Sequence, residues 1–594
     1  MHTDFVRAAS VTPVMIPGDP RQNAEAVVHA IRTAAGANLI VLPELALTGC
    51  SCGSLFTHDA LLDAAEDALA ALLRETNDVP ALIAVGLPVR VNQRVYNCAA
   101  VMSEGNLLGV VPKSALTSDS FFQTGAGSGG TVVLCGETVP FGTDLLFDGG
   151  GGFRAAFTLG EDPAPPPAAT VVGHLSAVPV WAGERLRDIV RVQSARLRCA
   201  VVCASADACG PVCRVIAENG VILDASGFEE QSKTTVTELD LGLLAYERRH
   251  LSNDSETVSA RAIPFRRGGA PAELKRRYSP EPFAAEGGDA LTAHCRKMLA
   301  MQVRALQARL KRLPGTGAAV SVSGGLDSAL ALLVAERAAS REERKLLAAT
   351  MPGPGTTERT LKNAQALCKA LGVPLKTVPI FNALEGHIKD IGHGGQPDVT
   401  YENAQARERA QIMMDMAGIE GCIVVGSSDL SETALGFTTF AGDQLSMFGV
   451  NAGVPKTLIR HIVRTAALDS GEELRTVLLD ILDTPVSPEL LPIESDGTQR
   501  QRSEDILGDY AVHDFYLYWF VRHGYTREKL LIAAKRAFKG RYTDAALDYA
   551  LTLFLTRFAQ SQYKRNAMPE GAAVSEVSLA QQDWVMPGDI ANIL

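Results

Sequence analysis

Six consecutive residues carry the clearest chemistry in this 594-residue chain: Ser323-Gly324-Gly325-Leu326-Asp327-Ser328. An apolar run at 318–322 precedes them, and a stretch of helical composition at 328–338 follows. The hexapeptide therefore reads as the turn of a strand–turn–helix unit. Two glycines let the backbone approach an anion closely. The Ser323 and Ser328 hydroxyls can donate to phosphate oxygens. The helix start adds unpaired N–H groups and a partial positive charge. Asp327 would repel a phosphate unless a divalent cation stood between them, so Mg²⁺ is implied. A tight turn with no ligand is the alternative reading of such a loop.

The elements that must hold this loop are legible around it. From 318 onward, apolar runs at 318–322, 346–351, 375–380 and 422–426 alternate with helical stretches at 328–338, 358–371 and 402–417. Such alternation implies a parallel sheet with helices on both faces, and ligands at the carboxyl ends of its strands. Upstream, Leu299, Val303, Leu306, Leu310 and Leu313 lie on one helical stripe that Pro314 and Gly315 stop. After 505 the chain reads as mostly helical. Residues 263–289, rich in Pro, Gly and charge, read as a linker. In residues 1–262, short apolar runs at 38–42, 82–87, 96–102, 107–111 and 131–134, with a helix at 22–34, suggest a layered α/β domain. A four-glycine run at 149–152 and a proline-rich run at 163–167 flank one further strand, 153–159.

Composition closes off other classes. There are 56 Lys and Arg against 67 Asp and Glu, a net charge of −11, which argues against a nucleic-acid binder. With 46% hydrophobic and 21% charged residues, the chain is globular rather than disordered. No apolar run reaches the ~18 residues of a membrane span, and the first residues lack the layout of a secretory signal. Eleven scattered cysteines fit a reduced, cytoplasmic setting.

The loop at 323–328 resembles the pyrophosphate-binding loop of the N-type ATP pyrophosphatases. Three more segments narrow the resemblance. Asn403 to Arg409 lie in a stretch similar to the ENxQARxR helix of NAD synthetases. Residues 426–432 (GSSDLSE) resemble their strand-end segment with a Mg²⁺-binding glutamate, and 454–457 (VPKT) their phosphate-contacting lysine segment. Residues 510–515 (YAVHDF) and 562–565 (QYKR) match as well. The family is the two-domain glutamine-dependent NAD⁺ synthetases. The resemblance implies a nitrilase-like α/β sandwich over 1–262 and a doubly wound parallel sheet, adenine nucleotide alpha hydrolase-like, over 290–594. It also implies ATP-dependent amidation of deamido-NAD⁺ to NAD⁺ through an acyl adenylate, with AMP and pyrophosphate released.

The residues follow one by one from that resemblance. ATP falls to Ser321, Val322, Ser323, Gly324, Gly325, Leu326, Asp327 and Ser328, with Arg407, Ser427 and Lys456. Mg²⁺ falls to Asp327 and Glu432. Deamido-NAD⁺ falls to Asn403, Glu432, Phe437, Thr438, Thr439, Phe440, Asp443 and Lys564. Bland readings stand beside these: Arg407 and Arg409 as a solvated helix face, Asn403 as a helix cap, and Glu432 as a surface charge.

The first domain departs from the family. Glu44 in LPELALTG and Lys113 in VPK match two members of its glutaminase triad. The third segment should carry a cysteine before Glu-Asp, yet here it reads Leu159-Gly160-Glu161-Asp162. A glycine cannot form a thioester, so the expected nitrogen donor is ammonia, with glutamine and an unrecognised nucleophile as the alternative. Cys199, Cys203, Cys209 and Cys213 have no usual zinc spacing and read as buried thiols. Cys50 and Cys52, just after the glutamate segment, are weaker substitutes. The resemblance further implies a homo-oligomer.

Overall fold

The computed structural model describes residues 4–116, 121–162, 164–208, 210–226, 234–249, 260–271, 273–484 and 507–590. Pro163 and Cys209 lie outside the described residues. The chain forms two compact units, divided at Arg277/Tyr278.

The first unit is an α/β sandwich. One sheet has eight strands, among them Phe5–Val11, Leu39–Val41, Leu82–Val91, Arg94–Ser103 and Asn106–Pro112. The other has seven, with Arg154–Leu159, Val171–Ser176 and Ala200–Asp207 parallel at its centre. The sheets face each other, and the Ser10 hydroxyl donates across to the Cys203 carbonyl at 2.5 Å. Helices Pro20–Thr33 and Asp59–Glu75 bury apolar faces on the first sheet, and Gly183–Leu197 covers the second. Strand alternation decides this layering, because each strand presents one face to a helix and the other to the facing sheet. Arg261–Pro264 is a seventh-strand edge, parallel to Leu145–Asp148, so the first sheet-bearing unit extends into the stretch read as linker. Four residues are too few to leave a periodicity to read.

The second unit is built on five parallel strands in the spatial order Leu375–Thr377, Leu346–Thr350, Gly317–Ser321, Cys422–Gly426, Phe448–Gly449. The Leu326–Arg341 helix packs on one face, supported by Gly288–Arg312 and Lys456–Leu468. The Val399–Glu420 helix covers the other face, closing a core of Ala319, Ala349, Met413, Ala417 and Val424. The edge strand stops at Thr377 rather than 380, two residues before Pro379, which has no N–H for a ladder. The carboxyl-terminal part holds helices Tyr510–Leu517, Arg527–Ala537, Asp544–Gln560 and Gln562–Arg565. Among the described residues, no helix is long and apolar enough to cross a membrane.

Candidate functional site

A cavity of about 490 Å³ opens at the carboxyl ends of the parallel strands of the second unit. Its floor is the loop after Gly317–Ser321. Gly324 has φ +87°, and an added Cβ there would strike the Thr360 carbonyl, so only glycine makes this turn. The Ser323 and Ser328 hydroxyls lie 3.0 Å apart, and Ser323 Oγ accepts from the Gly325 N–H at 3.2 Å. Asn451, fully buried, ties the loop to the next strand end: its Nδ2 donates to the carbonyls of Asp327 and Ser427, each at 3.0 Å. Nothing in the local pattern of Asn451 marks it, because both partners are distant in sequence.

Beside the loop lies a cluster of acids around one ammonium. Asp327, Asp429 and Glu432 each bring a carboxylate oxygen to within 4.8 Å of the others, the one such group among the described residues. Lys456 Nζ sits 2.8 Å from Asp327 Oδ2, 2.5 Å from Asp429 Oδ2 and 2.8 Å from Glu432 Oε1. Asp429 also caps the Leu430–Leu435 helix, accepting from the Glu432 N–H at 2.8 Å. Burial pushes the Asp429 carboxyl up to about 7 and raises Glu432 as well. Burial works against the Lys456 charge, but the three carboxylates outweigh it and hold the ammonium protonated. Three acids sharing one ammonium repel each other, and a further cation would pull both carboxyls back down.

One buried carboxylate positions both walls of this cluster. Asp514 accepts from the Ser431 hydroxyl through Oδ1, and from the Thr457 N–H (3.0 Å) and hydroxyl (2.7 Å) through Oδ2. Ser431 Oγ in turn accepts from the Lys456 N–H at 2.8 Å. Thus the segments carrying Glu432 and Lys456 are fastened to one side chain on the Tyr510–Leu517 helix.

The far wall of the cavity includes the 437–439 segment. Its backbone is held by Asp443, which accepts from the Thr439 N–H at 2.7 Å, and by Lys564, which donates to the carbonyls of Gly436 (2.7 Å) and Thr438 (2.6 Å). Asn403 Oδ1 accepts from the Thr439 hydroxyl at 3.0 Å. Burial raises the Asp443 carboxyl and lowers the Lys564 ammonium.

A second constellation lies in the first unit. Glu44, Lys113 and Gly160 all follow strand ends. Glu44 Oε1 accepts from Lys113 Nζ at 2.7 Å and Asn97 Nδ2 at 2.5 Å, while its buried Oε2 has no hydrogen-bond partner among the described residues. Burial raises the Glu44 carboxyl against the pull of Lys113. Gly160 has φ +56°, and a Cβ placed on it would lie 2.6 Å from Lys113 Nζ and 3.3 Å from Glu44 Oε2. A side chain at 160 would therefore point straight at the acid–lysine pair. The turn itself is intact. Asp162 accepts from the backbone N–H groups of Leu159 (2.9 Å), Ser114 (2.7 Å) and Ala115 (2.8 Å), and Gly160 N–H donates to Leu175 O at 2.9 Å.

A family model for NAD synthase matches residues 298–539, and one for carbon-nitrogen hydrolase matches residues 7–132. A curated glutamine-dependent NAD(+) synthetase from Mycobacterium bovis is 36% identical over 99% of this chain and 96% of its own length. The chain belongs to the glutamine-dependent NAD(+) synthetase family. Relatives with the same name from Mycobacterium leprae and Thermotoga maritima are 35% and 25% identical, over 99% and 98% of this chain and 96% and 98% of their own. The carbon-nitrogen hydrolase match spans Glu44 and Lys113 and ends before Gly160.

Most residues nominated by the NAD(+) synthetase resemblance meet in the one cavity. Ser321, Val322, Ser323, Asp327, Ser328, Asn403, Ser427, Glu432, Phe437, Thr438, Thr439, Asp443 and Lys564 line it. Gly324 and Gly325 make the turn beside it, and Leu326 is buried. Three other nominations lie off the lining: Lys456, whose ammonium is buried in the acid cluster, Arg407 and Phe440. Arg407 is exposed and its Nε donates to Phe440 O at 3.2 Å, whereas Arg409 lines the cavity and donates to Met351 O at 3.0 Å. The helix turns Glu402, Ala406, Arg409 and Met413 inward, and Arg407 falls off that stripe. Phe440 is 40% exposed and packs on Tyr563 instead, because the chain turns outward after Thr439. Asn403 is not a helix cap, since the helix begins at Val399 and is capped by Asp398. Sequence reading missed Asp429, Arg409, Asn451 and Asp514 as parts of the site. Asp429 was findable, three residues before Glu432 at a strand end. In the first unit, Cys199, Cys203 and Cys213 pack in the apolar core under the Gly183–Leu197 helix, as buried thiols would.

Proposed function

We propose that this carbon–nitrogen ligase amidates deamido-NAD⁺ to NAD⁺, using ATP and free ammonia, and that its own first unit does not cleave glutamine. One observation carries the ligase reading. The glycine loop, the acid cluster and a cavity large enough for nucleotide meet at the strand ends of one parallel sheet. The donor set fits Mg²⁺, being all carboxylate oxygen, with Asp327 Oδ1 buried and without a hydrogen-bond partner among the described residues. When bound there, by Asp327 and Glu432 with Asp429 beside them, Mg²⁺ supplies charge neutralisation to the polyphosphate.

The chain's own residues do the positioning. The loop N–H groups and the Ser323 and Ser328 hydroxyls hold the leaving diphosphate, and Lys456 adds a charge. Asn403, Asp443 and Lys564 keep the 437–439 wall in place against the dinucleotide. The substrate carboxylate oxygen attacks the α-phosphorus, and the bond to pyrophosphate breaks. Ammonia then attacks the activated carbonyl carbon, the carbon–oxygen bond breaks, and AMP leaves with that oxygen. Orientation of anions and offset of their charge account for the catalysis, with no side-chain nucleophile. Assembly as a homo-oligomer in the cytoplasm belongs to the same reading.

Gly160 carries the ammonia reading. The alternative, glutamine through another thiol, is favoured by the names of the relatives, and its best candidate is Cys50. Burial pushes that thiol up to about 11, and the charges of Asp207 and Glu44 push the same way, so no thiolate forms near neutral pH. A coupled NAD⁺ assay with ammonium or glutamine, run with ammonia scavenged from the glutamine, separates the two. Turnover with ammonium alone is expected, and glutamine turnover under scavenging overturns the ammonia reading. Asp327→Asn is expected to cut pyrophosphate release by about 100–1000-fold. Retention of wild-type release would overturn the ligase site.

A further inference from the structure

Lys456 stands where a divalent cation would stand. Its Nζ is within 2.8 Å of one oxygen from each of Asp327, Asp429 and Glu432. Mg²⁺ binds carboxylate oxygens at about 2.0–2.1 Å. An ion shared among these oxygens would therefore crowd an ammonium in that position, cation against cation. Three acidic side chains from two strand ends face that one ammonium. The lysine is also built to move at one end only. Its backbone N–H is held by Ser431, and the neighbouring Thr457 by Asp514, so the anchor is fixed by contacts that do not involve the ammonium.

We propose that Lys456 is a place-holder: in the nucleotide-free enzyme its ammonium fills the cation position, and it must swing out before the metal can enter. Deepening the metal assignment made above, this rests on Asp327 and Glu432 being the cation ligands. The lysine keeps a buried acid cluster neutral enough to persist without metal, at the cost of weak metal affinity until phosphate arrives. The polyphosphate then offers the displaced ammonium a new anion, so metal and nucleotide enter together.

The test is Mn²⁺ binding to the full-length protein without nucleotide, followed by electron paramagnetic resonance. Lys456→Met removes the charge and shortens the side chain by one heavy atom. It is expected to bind Mn²⁺ roughly tenfold or more tighter than wild type. Because this change strands three acids together, a second pair guards against misfolding: Asp429→Asn alone against Asp429→Asn with Lys456→Met, with the same tightening expected. If Mn²⁺ binds, is weakened by Asp327→Asn, and yet gains nothing from Lys456→Met in either background, the place-holder idea is wrong while the metal site stands. If Asp327→Asn changes no Mn²⁺ binding at all, the metal assignment falls and this proposal falls with it.

Discussion

Substituting Gly160 with alanine and with cysteine isolates the missing nucleophile. Both residues add a Cβ at φ +56°, in the left-handed region, which costs an L-residue about 1–2 kcal/mol. Both also bring that Cβ to 2.6 Å from Lys113 Nζ. The obstacle is the tip of a flexible side chain, so Lys113 shifts slightly and the strain dominates. For a unit of this size, that strain lowers the first thermal transition by roughly 2–8 °C, equally in the two variants. Only the cysteine adds a sulfur facing Lys113 and Glu44. A diazoketone analogue of glutamine is expected to alkylate the Gly160→Cys variant at position 160, read by peptide mass, and to leave wild type and Gly160→Ala unlabelled. A folded Gly160→Cys that takes no label would refute the claim that the pocket is otherwise intact. An unchanged melting temperature in Gly160→Ala would refute the strain argument.

Arg409→Ala is expected to raise the KM for nucleotide about tenfold, while Arg407→Ala leaves it within about twofold; steady-state kinetics on both variants checks which arginine faces the cavity. Asp514 gives a pH signature. Burial pushes its carboxyl up from 3.8 to about 6, so the folded protein holds that proton more tightly than the unfolded chain does. The resulting stabilisation is complete below pH 3.8 and is lost as pH rises through 6, a swing of about 3 kcal/mol. Asp514→Asn removes this dependence, so the difference in urea midpoint between wild type and variant should shift between pH 5 and 7; a constant difference would count against a buried, titrating Asp514. The same variant should lower kcat more than KM, because the Glu432 and Lys456 segments lose their common anchor.

What the sequence determined by itself was local. The glycine loop, the strand–helix alternation from 318 and the glycine at 160 are short-range facts, since turn chemistry and helical or strand period are written in adjacent residues. Candidate site residues on the glycine loop, the GSSDLSE strand end and the 437–443 stretch were legible for that reason. Tertiary structure decided which side chains meet. Arg409 rather than Arg407 enters the cavity because the roll of one helix is set by its packing on the sheet. Asp514 reaches Ser431 and Thr457, and Asn451 joins two loops, across separations of 24 to 124 residues. The ammonium of Lys456 among three acids is likewise a product of folding: no spacing rule brings together charges from three different strand ends, and only burial makes their balance matter.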